Sequence, residues 1–227
     1  MNRNNYNSIY SIVSHGHNSD TKKLVEYILK NSKNSFIFVT INIGNKIAFN
    51  NKRVQQIKNL SPKGFSTNHN AAFASIEHYQ YNNFIVTNPD IILNEKIIKY
   101  LDGLSSIQHD ITAFKHTNTV GKSVQEPRFY PFYKKIFNKK ILNKKWFSGA
   151  FLVIKKDAYK KLNGFDDKYF MYCEDMDLCY RSELLNLNFN YNVNFNIIHE
   201  GMYHSRKRIK YFFYHCKSHI LFLMSVR

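Results

Sequence analysis

Cysteine, proline and glycine are all scarce in this sequence of 227 residues, which contains three, four and eight of them respectively. The cysteines are Cys173, Cys179 and Cys216. Their odd number and the lack of any C-x-x-C spacing argue against a disulfide-stapled scaffold and make a zinc site improbable. We therefore expect reduced, partly buried thiols.

Long apolar runs are also missing. The longest run near the end covers residues 220–224, far short of the ~20 residues that span a bilayer, so no transmembrane helix is predicted. Residues 1–7 are polar and do not form a secretory signal, which leads us to expect a cytoplasmic protein. The sequence contains no G-x-x-x-x-G-K-[ST], G-x-G-x-x-G or H-E-x-x-H motif, which argues against glycine-rich phosphate loops and zinc hydrolase chemistry.

Acidic residues are few relative to basic ones. There are 33 Lys and Arg against 16 Asp and Glu, a net charge of +17. Such an excess predicts a polyanionic partner: nucleic acid, anionic lipid or a phosphorylated substrate. A basic nucleic-acid-binding module without catalysis is therefore one candidate, but the basic residues are scattered and no recognition motif occurs.

The first 90 residues alternate between apolar runs and helical spacing. The predicted strands cover 8–13, 35–40, 54–60 and 83–87, and the predicted helices cover 21–30 and 71–78. This alternation is typical of an α/β fold with a doubly wound, mostly parallel sheet. Ligands of such sheets bind at the carboxyl ends of the strands.

The second half of the chain is less regular. A helix is predicted near 94–104, a strand near 111–114, a second strand at 148–154, a helix at 170–185 and a strand at 189–198. The polar, basic stretch 115–145 is predicted to be a long mobile loop that acts as a lid or acceptor site. Residues 206–226 form a basic, aromatic, amphipathic pattern that suits an anionic membrane surface. Packing of its aromatic face on the core is the alternative.

Two groups of acidic residues are candidates for chemistry. Asp90 follows the predicted strand 83–87 in the sequence Asn88-Pro89-Asp90. Aspartate is common in turns, but a carboxylate at this edge is also a natural ligand for a divalent metal beside a diphosphate, or a contact for a ribose. Both interpretations are open from the residues alone.

The second group is Glu174, Asp175 and Asp177. Residues two apart on a helix point in nearly opposite directions, so Asp175 and Asp177 need separate roles. Asp177 precedes Arg181 by four residues, which favours a structural salt bridge. Asp175 lacks such a partner, and the dipole of a helix start would keep it ionised, as a general base requires. The alternative is that Glu174 and Asp175 are ordinary helix-start acids.

Five segments in order carry a family resemblance: SHGHN, KGFSTNHNAA, NPD, SGAFLVIKKDAYKKLNGFDDKYFMYCEDMDLCYR and a late HEG. Together they resemble family 2 glycosyltransferases, and within these the bacterial rhamnosyltransferase-like branch. The resemblance extends over about residues 9–206, and the long fourth segment is its most specific part.

The resemblance implies a GT-A fold in one domain, 1–206, with a nucleotide-sugar half at about 1–92 and an acceptor half at 93–206, followed by the basic helix 207–227. It implies inverting transfer of a sugar, with rhamnose as the candidate, from a nucleotide diphosphate-sugar to a polyprenyl diphosphate-linked saccharide in bacterial surface polysaccharide assembly. Such an enzyme would work on the inner face of the cytoplasmic membrane, with no nucleic-acid partner. A homo-oligomer is compatible with this picture.

The resemblance also implies residue roles. Asp175 is the catalytic base, and Asp90 and His199 hold Mg²⁺ or Mn²⁺. Asn88 replaces the first acid of the usual D-x-D motif, so metal binding depends mainly on Asp90. The donor-binding residues are Ser14, His15, Gly64, Asn70, Asn88 and Asp90, and the acceptor-binding residues are Trp146, Gly149 and Glu174.

Two features near these residues suit the implied reaction. Trp146, close to Ser148 and Gly149, would offer an aromatic platform for a sugar ring. Loop cations such as Lys122, Arg128 and Lys134 would neutralise the departing phosphates, with simple solvation of each side chain as the alternative.

Overall fold

A computed structural model describes residues 5–103, 108–125, 128–129, 145–199 and 209–225. The strands are β1 Asn5–His15, β2 Ser35–Ile43, β3 Val54–Lys58, β4 Gln80–Thr87, β5 Ile91–Ile92, β6 Ile111–Thr117, β7 Ser123–Gln125, β8 Arg128–Phe129, β9 Lys145–Trp146, β10 Phe151–Lys155 and β11 Phe189–His199. The helices are α1 Asn18–Asn31, α2 Phe65–Ser75, α3 Glu95–Gly103, α4 Lys156–Lys161, α5 Glu174–Leu184 and α6 Ile209–Ser225.

One mostly parallel sheet organises the chain, with strand order β3-β2-β1-β4-β10-β6-β11-β5, and β7 pairs with β6. The first four strands of that order pair in parallel. Strand β10 runs antiparallel between β4 and β6, and the edge strand β5 runs antiparallel to β11. The predicted α/β class with a doubly wound, mostly parallel sheet is confirmed.

Helices cover both faces of this sheet. Leu24 and Ile28 of α1 and Leu101 of α3 belong to one buried cluster, whereas Ala72 of α2 and Tyr159 of α4 belong to another. The central strands are thus buried on both sides, which explains why they contain apolar runs rather than a strict alternation of apolar and polar residues.

The predicted helix 170–185 begins later than expected, at Glu174. Tyr172 and Cys173 have φ angles of 70° and 65°, in the left-handed region that costs a residue with a Cβ free energy. A right-handed helix cannot run through them. The segment before Glu174 is therefore a turn. Its aromatic residues Phe170 and Tyr172, which the sequence placed in the helix, contact rings of α6 instead.

The stretch 115–145 is not one loop. Residues 115–117 continue β6, 123–125 form β7, and 128–129 pair with 145–146 as β8 and β9. Residues 118–122 form the turn between β6 and β7, whereas residues 126–127 and 130–144, which include Lys134, lie outside the described residues. Cross-strand pairing, which the sequence does not reveal here, is the reason for the difference.

The C-terminal helix α6 begins at Ile209, and residues 206–208 lie outside the described part. Its Ser218 and Phe222 are buried, and Phe222 packs in a cluster with Trp146, Tyr169 and Cys173. The core-packing alternative is therefore correct for one face of this helix. Within the described residues, no helix is both long and apolar enough to cross a membrane.

Candidate active site

The carboxyl edge of the sheet collects most of the predicted site residues. Strand β1 ends at His15, β4 at Thr87 and β11 at His199, while the antiparallel strand β10 starts at the same edge, with Phe151 opposite Thr87. Asn88 and Asp90 follow β4 directly. The ligand crevice expected at this edge of a parallel sheet thus lies beside these residues.

Asp90 and His199 are brought together by a short strand pair. Ile91 of β5 lies opposite His199 of β11, and Asp90 Oδ2 lies 3.3 Å from His199 Nε2. Burial acts to raise the pKa of the Asp90 carboxyl, but the hydrogen bond and charge of His199 outweigh it, so the net shift is downward. Asp90 is therefore ionised at neutral pH.

This pair fits a divalent metal that is shared with a substrate. A carboxylate oxygen is a suitable ligand for Mg²⁺ or Mn²⁺, and an imidazole nitrogen beside it favours Mn²⁺ over Mg²⁺, which prefers oxygen ligands. Among the described residues, no three His, Cys, Asp or Glu side chains are grouped so that they could hold a metal by themselves. The protein would supply part of the coordination, and phosphate oxygens and waters the rest.

Asp175 lies in the first turn of α5 and is held by backbone groups. Its Oδ2 accepts a hydrogen bond from Gly149 N at 3.1 Å, and its Oδ1 accepts one from Met176 N at 2.9 Å. Burial raises the pKa of this carboxyl, and these N–H groups and the charge of Arg128 oppose the rise without cancelling it. The sequence predicted that the helix start keeps Asp175 ionised, whereas the net shift of its pKa is upward because burial dominates. A raised pKa makes Asp175 a stronger proton acceptor once it is ionised.

A short backbone segment connects the two acidic centres. Asn88 N donates to Ala150 O at 2.9 Å, and the preceding residue, Gly149, binds Asp175. The metal-binding candidate and the base candidate thus flank residues 149–150. Residues 149–150 therefore link the segment that carries Asp90 to the Asp175 carboxylate.

Gly64 and Gly149 are required by close approaches. A Cβ on Gly149 would lie 3.3 Å from the Phe65 ring and 3.5 Å from Asp175 Cβ. A Cβ on Gly64 would lie only 2.7 Å from the carbonyl oxygen of Phe170, which also accepts a hydrogen bond from Phe65 N at 3.0 Å. The lack of a side chain at Gly64 therefore allows the start of α2 to pack against the turn that precedes Asp175.

Substitution Gly64→Ala should both destabilise the protein and slow transfer. The new methyl group would meet backbone atoms of Phe170 that cannot rotate away, and overpacking of this kind costs about 1–3 kcal/mol. Thermal melting and transfer rate measure the two effects. The matched control is Gly103→Ala, where a Cβ would meet nothing within 4 Å; equal melting temperatures for the two variants would contradict the argument.

Asn70 has a different role from the predicted contact with the donor. Its Oδ1 accepts hydrogen bonds from Tyr159 Oη and Phe165 N, and its Nδ2 donates to Phe165 O and to an oxygen of Asp167. These four bonds use the full capacity of the amide. Asn70 thus clamps the loop after α4, and the sequence could not show this because its partners are far along the chain.

Trp146 and Glu174, which the sequence predicted to bind the acceptor, both have buried side chains. Trp146 is buried, and the Arg128 guanidinium lies 5.2 Å from its ring centroid, so the exposed aromatic platform expected from the sequence is not found at this residue. Glu174 is buried too, and burial and the nearby Asp175 raise the pKa of its carboxyl well above the usual range. The ionised form of Glu174 is therefore disfavoured at this position.

Sequence reasoning missed Asn42, which ties the end of β2 to the backbone of Lys63. Asn42 Nδ2 donates to Lys63 O at 2.8 Å and lies 2.8 Å from His15 Nδ1, and its Oδ1 accepts from Lys63 N at 2.8 Å and Asn59 Nδ2 at 2.7 Å. Burial, and then the charge of His17, lower the pKa of His15. The position of Asn42 at the end of β2 was the available signal.

Two other predictions for single residues can be compared directly with contacts. Arg181 Nε lies 2.6 Å from Asp177 Oδ2, which confirms the structural salt bridge. Ser14 Oγ donates to Asn18 Oδ1 at 2.9 Å, so it fixes the turn between β1 and α1. Its contact with a donor stays a prediction.

Comparison with known proteins identifies the class of this chain. No family model matches it. It is 29% identical over 246 aligned residues to rhamnosyltransferase WbbL of Escherichia coli K12, covering 95% of this chain and 92% of WbbL. A 33-residue stretch, 14% of this chain and 11% of the relative, is 48% identical to an N-acetylglucosaminyl-diphospho-decaprenol L-rhamnosyltransferase of Mycobacterium tuberculosis.

Solved structures show the same fold. The crystal structure of S. aureus TarS 1–349 superposes with a TM-score of 0.63 at 12% identity, over 84% of this chain and 59% of the TarS chain. A complex of the same protein with UDP gives a TM-score of 0.57 at 10% identity, over the same shares of the two chains. The predicted GT-A fold and the predicted glycosyltransferase activity are confirmed: the chain is a glycosyltransferase with the GT-A fold.

Proposed function

We propose that this glycosyltransferase is an inverting enzyme of family 2 that transfers rhamnose from a nucleotide diphosphate-rhamnose to a lipid-linked saccharide. The observation that carries the proposal is the pair of acidic centres, Asp90 with His199 and Asp175 with Gly149, on two sides of residues 149–150. The names of the curated relatives support the sugar and the polyprenyl-linked acceptor. Assembly of a bacterial surface polysaccharide is the process in which such a transfer takes place.

In the proposed mechanism, each proton and charge has a place. Asp175 accepts the proton of the acceptor hydroxyl while that oxygen forms a bond to the anomeric carbon. The bond from this carbon to the nucleotide diphosphate breaks on the opposite face, so configuration inverts. Asp90 and His199 would hold Mg²⁺ or Mn²⁺, which neutralises charge on diphosphate oxygens. Arg128, whose charge acts on Asp175, adds a cation on the acceptor side.

Peripheral residence on the inner face of the cytoplasmic membrane is part of the same proposal. An acceptor with a polyprenyl anchor keeps its diphosphate at the headgroup level, so the enzyme must work at that surface. The net charge of +17 supports binding to anionic lipid.

A panel of nucleotide diphosphate-sugars tests the proposal. We expect one rhamnose donor to raise the melting temperature, because a ligand that binds only the folded state stabilises it, and to be slowly hydrolysed in the presence of Mn²⁺. A different sugar that alone gives both effects would overturn the rhamnose assignment. Retention on DNA at low salt without any donor hydrolysis would favour the nucleic-acid-binding module instead.

A further inference from the structure

The helix α6 has two faces with different partners. On its inner face, Ser218 Oγ donates to Met171 O at 2.7 Å. The ring centroids of Phe170 and Tyr214 lie 5.1 Å apart, as do those of Tyr172 and His215. Tyr169 Oη lies 3.3 Å from Ser225 Oγ. All four partners precede Glu174 in the turn with left-handed Tyr172 and Cys173. The inner face of α6 therefore packs on the segment that leads to Asp175.

The outer face carries a stripe of large apolar side chains. Ile209, Phe213, Ile220 and Met224 are all exposed, and their successive spacings of four, seven and four residues place them on one side of the helix. We call these four residues and the exposed Lys217, which lies between them, the outer stripe. An exposed apolar surface of this kind marks an interaction site.

Charge indicates what the outer stripe binds. The helix contains Lys210 and Lys217 and no Asp or Glu, and the chain as a whole carries a net charge of +17. A cationic helix with a solvent-exposed apolar face suits the interface of an anionic bilayer, where the apolar side chains insert and the lysines remain at the headgroups. A second copy of this chain would bring the same positive charge to the contact and be repelled.

We propose that the outer stripe docks the enzyme on an anionic lipid bilayer, and that this docking places the Asp175 crevice beside the headgroups. Asp175 lies three residues after Tyr172, which touches α6, and three residues of chain span at most about 11 Å. The inference rests on the proposed function for its acceptor: a polyprenyl diphosphate at the bilayer surface would then lie close to the base. No movement of the enzyme away from the membrane is required.

Vesicle co-sedimentation tests the docking surface without any donor or acceptor. The probes are phosphatidylcholine vesicles with and without phosphatidylglycerol, each at low and high salt. We expect full-length protein to pellet with the anionic vesicles at low salt and Phe213→Ser/Ile220→Ser to lose about tenfold or more of that binding, because both residues would insert. Lys217→Gln should lose about fivefold of that binding, because it removes one positive charge at the level of the headgroups.

A matched control separates location from loss of apolar surface. Leu184→Ser/Val193→Ser removes two side chains that are 63% and 59% exposed, against 64% and 58% for Phe213 and Ile220, but lies outside α6. This control should bind vesicles as wild type does, and all variants should melt like wild type because none of the changed side chains is buried. A fluorescent label gives a second measurement. Cys216 is the half-exposed thiol beside the outer stripe, whereas Cys173 and Cys179 are buried. An environment-sensitive label on Cys216 should shift its emission when the protein binds anionic vesicles.

Three results would overturn the docking surface: undiminished binding by Phe213→Ser/Ile220→Ser, equal loss in the control, or a wild-type oligomer that the stripe variant dissociates while vesicles bind neither protein. The last result would make the stripe a contact between two copies. These outcomes are independent of the donor panel, since vesicle binding with no hydrolysed donor would refute the proposed function and leave the docking surface standing.

Discussion

Substitution Asp175→Asn is expected to reduce the transfer rate by about 10²–10⁴-fold, the usual contribution of a general base. The amide keeps the size of the side chain and its Oδ1 can still accept a hydrogen bond from Gly149 N or Met176 N, but it cannot take the acceptor proton. Donor affinity and melting temperature should stay close to wild type. Single-turnover kinetics with saturating donor separates the chemical step from binding.

Glu174→Gln is the matched control for this variant. Glu174 is adjacent in sequence and buried, and burial and Asp175 disfavour its ionised form, so an amide there keeps the size of the side chain and carries no charge. We expect a transfer rate near that of wild type. If Glu174→Gln loses as much activity as Asp175→Asn, or Asp175→Asn loses none, Asp175 is not the base.

The pH dependence of transfer adds a second check on Asp175. The base must be unprotonated to act, so the rate falls as pH falls through its pKa. Because burial raises the pKa of Asp175, the acid limb of the profile should lie above the range of an ordinary aspartate. The residual rate of Asp175→Asn should lack this limb.

Substitution Asp90→Asn is expected to remove the metal dependence of donor binding. Wild-type protein should bind the nucleotide diphosphate at least about tenfold more tightly with Mn²⁺ than with chelator, equivalent to about 1.4 kcal/mol, because the diphosphate charge must be neutralised. In Asp90→Asn the two affinities should become equal, and His199→Gln should fall between. Isothermal titration calorimetry measures each of the three proteins with Mn²⁺ and with chelator.

Asp157→Asn controls for the loss of one negative charge. Asp157 is exposed in the first turn of α4, on a helix that contributes nothing to the Asp90 and His199 pair, so metal dependence should persist in this variant. Equal donor affinity of wild-type protein with Mn²⁺ and with chelator would remove the metal from the mechanism.

Local patterns predicted the sheet well because its strands are buried on both faces. Residues 36–39, for example, form a short apolar run rich in β-branched and aromatic side chains, which is typical of a buried central strand. The helix boundaries were less predictable. The start of α5 depends on two left-handed residues, Tyr172 and Cys173, whose backbone strain is compensated by contacts with α6 that lie more than 40 positions away in sequence.

In the candidate site too, the sequence predicted which residue types matter, whereas the structure decided where they lie and what they contact. Asp90 and Asp175 were found from their positions at element ends and from the family resemblance, and the structure places both at one edge. Asn70 carried an equally convincing motif, yet its hydrogen bonds to Phe165 and Asp167 make it a clamp. A motif indicates which residues matter, whereas hydrogen-bonding capacity decides what each of them does.

By itself, the sequence determined the α/β class, the parallel sheet and the chemical types at its carboxyl edge, because these follow from hydrophobic periodicity and from residues adjacent along the chain. The tertiary structure alone decided three things: the pairing of β5 with β11 that joins Asp90 to His199, the burial that raises the pKa of Asp175, and the division of α6 into an inner and an outer face. Each depends on side chains distant in sequence meeting in space, where desolvation and packing act, and no local pattern encodes those contacts.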